Sequence, residues 1–252
     1  MALSRKVLWI VNMDTLAIEN QFGQHARAAG INTLCIRTST NRLPESIAAL
    51  SSQGFDVYAW RWPSANAHAA MAEASKVATL LIPAGLKGYI VDPESDSPGA
   101  SNDWNRAGLA NLAQSFCATI KDAAPAGFRF GTTSGCIYPA STGKPQIPWS
   151  EFFAASDALF PQTYWRWTAS SGRRQNINGG TPAKATARGM GAWTSPAQGK
   201  AIIPMAGEID VVTPAEIADY GRELNSRAIT EGHFYADSPR VSPAVLAAIS
   251  AL

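Results

Sequence analysis

Eight short apolar runs recur along this chain with helix-patterned or polar spacers between them, and that alternation restricts the fold more than any other feature. The runs are Val7–Asn12, Thr33–Ile36, Val57–Trp62, Gly88–Val91, Phe128–Thr132, Ala158–Gln162, Ala201–Met205 and Gly232–Tyr235. Helical patterns fill Ala65–Leu80, Asp103–Asp122 and Pro214–Ala228. The last opens on Thr213-Pro214-Ala215-Glu216, a cap residue, a first-turn proline and an acid at the third helical position. Strands separated by helices lie parallel, joined by right-handed crossovers. Eight such units in 252 residues predict one α/β domain over 1–252, a single (β/α)8 TIM barrel. An open doubly wound sheet is the competing arrangement, but Asn12-Met13-Asp14-Thr15-Leu16 after the first run lacks that fold's glycine-rich phosphate loop.

Composition narrows the partners. The net charge is +2 and the Lys and Arg residues are scattered, so no nucleic-acid footprint or polybasic membrane patch stands out. No apolar segment is long enough to span a bilayer. The start, Met1–Val11, has a basic head but only a short apolar stretch without a small-residue cleavage site, and reads as a first strand rather than a signal peptide. Cytoplasmic synthesis is therefore expected, with phage- or wall-directed release if the target is a cell wall. Cys35, Cys117 and Cys136 are odd in number, far apart and without a nearby His at ligand spacing, as expected of buried or half-buried thiols. His25, His68 and His233 are equally dispersed. Neither a metal nor another cofactor is expected, and a monomer is the expected state.

In a barrel of this kind the chemistry sits at the carboxyl ends of the strands. The fourth run ends in Gly88-Tyr89-Ile90-Val91-Asp92-Pro93-Glu94, where two acids one residue apart emerge on the same face. Like charges at that spacing raise the pKa of one partner, which keeps a carboxyl protonated as a proton donor near neutral pH. Asp14 ends the first run, Trp60-Arg61-Trp62 the third, and Gln162-Thr163-Tyr164-Trp165-Arg166-Trp167 the sixth. Glu208 and Asp210 follow the seventh, and Tyr235 and Asp237 end the eighth. This acidic and aromatic ring suits a carbohydrate, whose C–H faces stack on aromatic rings while its hydroxyls bond to carboxylates and amides. Glycosidic cleavage also needs a carboxylic acid for the leaving oxygen and a second group for the positive centre. Taken singly, each tryptophan also suits helix-to-barrel packing, and Asp14, Glu208, Asp210 and Asp237 also suit caps or turns. The segment from Thr168 to Lys200 reads as a long active-face loop with a short helix around Pro182–Met190. It is a lid or a solvated insertion, and Arg173, Arg174, Lys184 and Arg188 on it would suit an anionic glycan.

Lys87-Gly88-Tyr89-Ile90-Val91-Asp92-Pro93-Glu94 resembles the fourth-strand signature DxxDxDxE of family 18 glycoside hydrolases, the chitinase-like barrels. Asp92 and Glu94 match its last two acids, while Lys87 and Ile90 replace the first two. The resemblance implies that Glu94 is the general acid and that Asp92 orients the substrate's N-acetyl group. Phe160-Pro161-Gln162-Thr163-Tyr164-Trp165 is similar to that family's sixth-strand segment, which implies that Tyr164 assists the acetamide; the family's Asp after that Tyr is Trp165 here. The Asp-x-Glu strand end is also similar to family 25 lysozymes, whose first-strand Asp would correspond to Asp14.

The sequence therefore predicts a hydrolase of β-linked amino-sugar polymers, with bacterial peptidoglycan as the favoured substrate in the manner of a muramidase or endolysin. Catalysis is assigned to Glu94, Asp92 and Tyr164. Asp14, Trp60, Trp62, Gln162, Trp165, Glu208 and Tyr235 are assigned to the substrate, with Trp62 and Trp165 as stacking platforms. A barrel that binds a glycan or a protein without cutting is the second reading, because Lys87 and Ile90 stand where the family pattern has acids. An enzyme for a small phosphorylated metabolite is disfavoured, since Ala206-Gly207-Glu208-Ile209-Asp210 is acidic where a phosphate cup would lie.

Overall fold

Each apolar run becomes a strand because it is covered on both faces, by barrel interior on one side and helices on the other, which parallel strands require. The computed structural model describes residues 2–11, 13, 19–95, 97–168, 174–236, 238 and 240–252, the side chains of 19–22 excepted. The strands β1 (Arg5–Ile10), β2 (Thr33–Arg37), β3 (Asp56–Arg61), β4 (Gly88–Val91), β5 (Arg129–Gly135) and β6 (Ala158–Gln162) follow the first six runs. A hairpin of β7 (Arg166–Thr168) and β8 (Arg174–Asn176) comes next. The seventh run is split into β9 (Ala201–Ile202) and β10 (Met205–Gly207), and β11 (Glu231–Tyr235) is the eighth. The helices are α1 (Glu19–Ala28), α2 (Leu43–Ser52), α3 (Ala67–Lys76, extended by a π turn over Val77–Leu81), α4 (Ala110–Ala123), α5 (Trp149–Ala155), α6 (Pro182–Trp193), α7 (Pro214–Ser226) and α8 (Pro243–Ser250).

The large sheet is parallel throughout, in the order β10-β11-β1-β2-β3-β4-β5-β6-β9. Its two edges are the two halves of one interrupted strand, so the sheet curls until its ends meet. The break falls at Ile203-Pro204, where proline has no N–H to give to a ladder. The Ile203 N–H still reaches the Leu159 carbonyl at 2.8 Å, and the Thr163 hydroxyl donates to the Met205 carbonyl at 2.8 Å. The expected TIM-barrel architecture is thus observed.

Two expectations on element limits are corrected. The fourth helix begins at Ala110 rather than Asp103, because the Asp103 carboxylate accepts from the Gly99 and Asn105 N–H groups and folds this stretch into turns, with Gly108 at φ +84°. The segment after Thr168 is only in part a loop: β7 and β8 pair in antiparallel register, Arg166 opposite Asn176. The expected capping box on α7 is present, with the Thr213 hydroxyl accepting from the Glu216 N–H and the Glu216 carboxylate accepting from the Thr213 N–H.

Alternation along the strands sorts the side chains into two layers. Leu8, Ile10, Leu34, Ile36, Val57, Ala59, Tyr89 and Val91 face the helices, whereas Val7, Trp9, Cys35, Tyr58, Trp60, Ile90, Phe160 and Met205 fill the interior. Complete burial of each large apolar side chain is worth about 1.5–3 kcal/mol. At the amino-terminal end the interior is polar and paired. Arg129 on β5 reaches across to Glu231 on β11 at 2.5 Å, and Glu231 Oε1 lies 2.7 Å from His233 Nε2. Trp9 donates its indole N–H to His233 Nδ1 at 3.0 Å. Indole only donates, so Nδ1 is the acceptor, the proton sits on Nε2, and His233 is neutral. Burial is also the largest influence lowering its pKa. All three cysteines are buried and reduced, and burial raises each thiol's pKa.

Candidate active site

Strand parity carries the acid pair into the barrel mouth. Ile90 is buried in the interior layer, and Asp92 and Glu94 continue its side of the chain just beyond β4. The segment is tied down on three sides: the Asp92 N–H donates to the Arg61 carbonyl, the Ser134 hydroxyl to the Pro93 carbonyl, and the Trp104 N–H to the Glu94 carbonyl. Asp92 is 5% exposed and Glu94 half-buried, which leaves Glu94 the more accessible of the two.

Gln162, at the end of β6, joins them. Its side-chain Nε2 donates to Asp92 Oδ1 at 3.1 Å and to Glu94 Oε1 at 3.0 Å, so both amide hydrogens are committed to carboxylates. Two residues on, Tyr164 points to the same side and stacks on Tyr235 of β11, with ring centroids 5.2 Å apart and 16° between planes. Gly207 makes room for this ring, since a Cβ there would come within 2.5 Å of it. Burial, the Tyr235 ring and the charges of Asp92, Glu94 and Glu208 all raise the Tyr164 phenol, which is therefore a stable O–H donor. Tyr235 is raised as well, by burial first and then by the charges of Asp92, Glu208 and Glu94, with Arg37 acting in the opposite direction.

Glu208, after β10, is half-buried, and burial raises its carboxyl while the Thr168 N–H donates to it at 2.9 Å. Because Thr213 caps α7, neither Glu208 nor Asp210 serves that helix. Asp210 instead pairs with Arg240 at 2.7 Å. Trp60 lies in the interior floor beneath the mouth, its indole N–H on the Ile10 carbonyl and its ring 5.5 Å from Trp9. Trp62 is half-buried and donates to the Asn102 carbonyl in the β4–α4 connection.

The structure therefore gathers Asp92, Glu94, Gln162, Tyr164, Glu208, Tyr235 and Trp60 at one end of the barrel. It does not bring Trp165 there. That side chain is fully buried on the helix side against Tyr220, at 5.8 Å between centroids, because parity turns it away from Tyr164. Arg174, still partly exposed, is paired with Glu216 at 3.0 Å. Arg166 binds the same carboxylate and the Gly180 carbonyl, which fastens the hairpin to α7. Asp14, Arg173 and Asp237 lie outside the described residues. Sequence reasoning missed Asp103 and Arg37. The first orders the connection that follows Glu94, and the Ser95 hydrogen bond and Gly99 N–H lower its pKa. Among the described residues, no three His, Cys, Asp or Glu side chains are grouped to hold a metal ion, and no helix is long and apolar enough to cross a membrane.

No family model matches the chain, and no curated protein matches it. Solved structures do. The spore cortex-lytic enzyme SleL of Bacillus cereus superimposes with a TM-score of 0.67 at 11% identity, over 97% of this chain and 74% of that one. A family 18 chitinase from Cycas revoluta gives 0.66 at 9% identity over 98% and 99%. A chitinase from Chromobacterium violaceum gives 0.65 at 11% identity over 98% of both chains. The likeness does not single out the family 25 lysozymes, and at such identities it is a likeness of fold: the chain is built on the TIM barrel shared by family 18 chitinases and SleL.

Proposed function

We propose that this protein is a glycoside hydrolase acting on β-linked amino-sugar polymers, with bacterial cell-wall glycan as its substrate. The observation that carries this reading is the Gln162 amide held between Asp92 and Glu94, beside the stacked Tyr164 and Tyr235. Glu94, the more accessible acid, gives a proton to the glycosidic oxygen and later takes one from water. Asp92, deeper and fixed by Gln162, faces the positive centre or the acetamide that attacks it. The Tyr164 phenol, kept protonated by its surroundings, donates a hydrogen bond to the reacting sugar. The fold likeness to a cortex-lytic enzyme and to chitinases supports a polysaccharide substrate.

A non-catalytic glycan-binding barrel is the second reading, and one observation favours it. Ile90 is buried and apolar where the resembling family has a further acid, and Lys87 is exposed on the far side of the strand's start. Incubation with purified peptidoglycan and with chitin oligomers separates the two, using a reducing-end assay beside a pull-down. New reducing ends support hydrolysis; retention on the glycan with none supports the binder.

A further inference from the structure

Arg37 ends β2, directly across from Trp60 in the β3 register. Cys35, two residues earlier, belongs to the interior layer, so Arg37 continues that side of the strand into the mouth. The side chain is partly buried, and its Nε is shielded from solvent with no hydrogen-bond partner among the described residues. Nor does it form an ion pair with any of them. Its charge reaches the site: Tyr235, which feels Asp92, Glu208 and Glu94, feels Arg37 with the opposite sign. A buried N–H without an acceptor is costly, and more so when it belongs to a guanidinium. Three other described arginines near the mouth do have carboxylates, Arg174 and Arg166 on Glu216 and Arg240 on Asp210. Arg37 stands apart from them.

We infer that Arg37 is a specificity-determining residue, whose guanidinium receives a carboxylate carried by a sugar of the bound glycan. Guanidinium matches a carboxylate as two parallel N–H donors, which neutral sugar hydroxyls cannot reciprocate. Among the described residues the charges acting on the mouth are otherwise acidic, those of Asp92, Glu94 and Glu208, so an anionic sugar is repelled by them and drawn to Arg37, which fixes its register. A lactyl ether carboxylate and a uronic acid carboxylate share this chemistry. The inference rests on the glycan-cleaving reading for its substrate, but its test reads binding rather than cleavage.

Glu94→Gln, which removes turnover, serves as background for calorimetric titration with three tetrasaccharides: alternating N-acetylglucosamine–N-acetylmuramic acid, hyaluronan and chitotetraose. Adding Arg37→Met should weaken one of the two carboxylated ligands by about 10- to 100-fold, the worth of a charge-assisted pair. Chitotetraose should change less than about twofold, since it has no charge to lose. The carboxylated ligand that responds identifies the source. Equal weakening of all three, no weakening, or no binding of either carboxylated ligand would overturn the inference. Binding that depends on Arg37 in a protein whose unmodified form cuts none of the three sinks hydrolysis and leaves the carboxylate site standing.

Discussion

Replacing Glu231 by Gln tests whether the barrel closes as described, because this carboxylate is the meeting point of β1, β5 and β11. It is 8% exposed, lies 2.5 Å from Arg129 and 3.5 Å from Arg5, and is hydrogen-bonded to neutral His233. Burial alone would raise its pKa. The His233 hydrogen bond and the Arg129 guanidinium outweigh that and bring it from 4.5 to about 2. At about 1.4 kcal/mol per pH unit this corresponds to roughly 3 kcal/mol of stability at neutral pH, in line with the cost of removing one partner of a buried pair. The sign follows from the depressed value. The contribution is whole above 4.5, the ordinary carboxyl value, and is lost as pH falls towards about 2. Urea unfolding of wild type and Glu231→Gln should therefore differ by roughly 3 kcal/mol at pH 7 and by less than half of that at pH 3. A deficit of the same size at both pH values, or one below about 1 kcal/mol at pH 7, would refute the cross-barrel pairing.

Two further outcomes concern the mouth and its back wall. Gln162→Met removes both donors from Asp92 and Glu94 while keeping the side-chain length; kcat should fall by about 100-fold with KM nearly unchanged, as a misplacement of reacting groups requires. An unaltered kcat in steady-state assays would mean that the amide does not hold the acids in place. Trp165→Ala should lower stability by about 3–5 kcal/mol, as for any fully buried large aromatic, while KM for glycan in the folded fraction is unchanged. A rise in KM without loss of stability would restore it as a stacking platform.

How much of this was legible in the sequence depends on whether the signal was periodic or spatial. Parallel strands buried on both faces read as continuous apolar runs, so β1 to β6 and β11 could be located from residue types alone. Asp92 and Glu94, and likewise Gln162 and Tyr164, could be placed on common faces because side chains alternate with period two. The hairpin β7–β8 was hidden because Arg166-Trp167-Thr168 and Arg174-Gln175-Asn176 carry no apolar alternation. Parity also sends Tyr164 and Trp165 to opposite sides, but choosing the inner one needs the sheet to be closed. The contact of His233 with Trp9 links residues over 200 positions apart, and nothing local marks it. Arg37 looked like any strand-end arginine until its surroundings showed a buried Nε with no hydrogen-bond partner among the described residues.

The central claim is that Glu94 transfers the proton that breaks a glycosidic bond. The most direct measurement compares reducing-end release from peptidoglycan and chitin oligomers by wild type and Glu94→Gln, with circular dichroism and thermal unfolding to establish that the variant is folded. The account predicts cleavage by wild type and a loss of at least about 100-fold in the folded variant, the scale of a general acid. Undiminished cleavage by folded Glu94→Gln would contradict it.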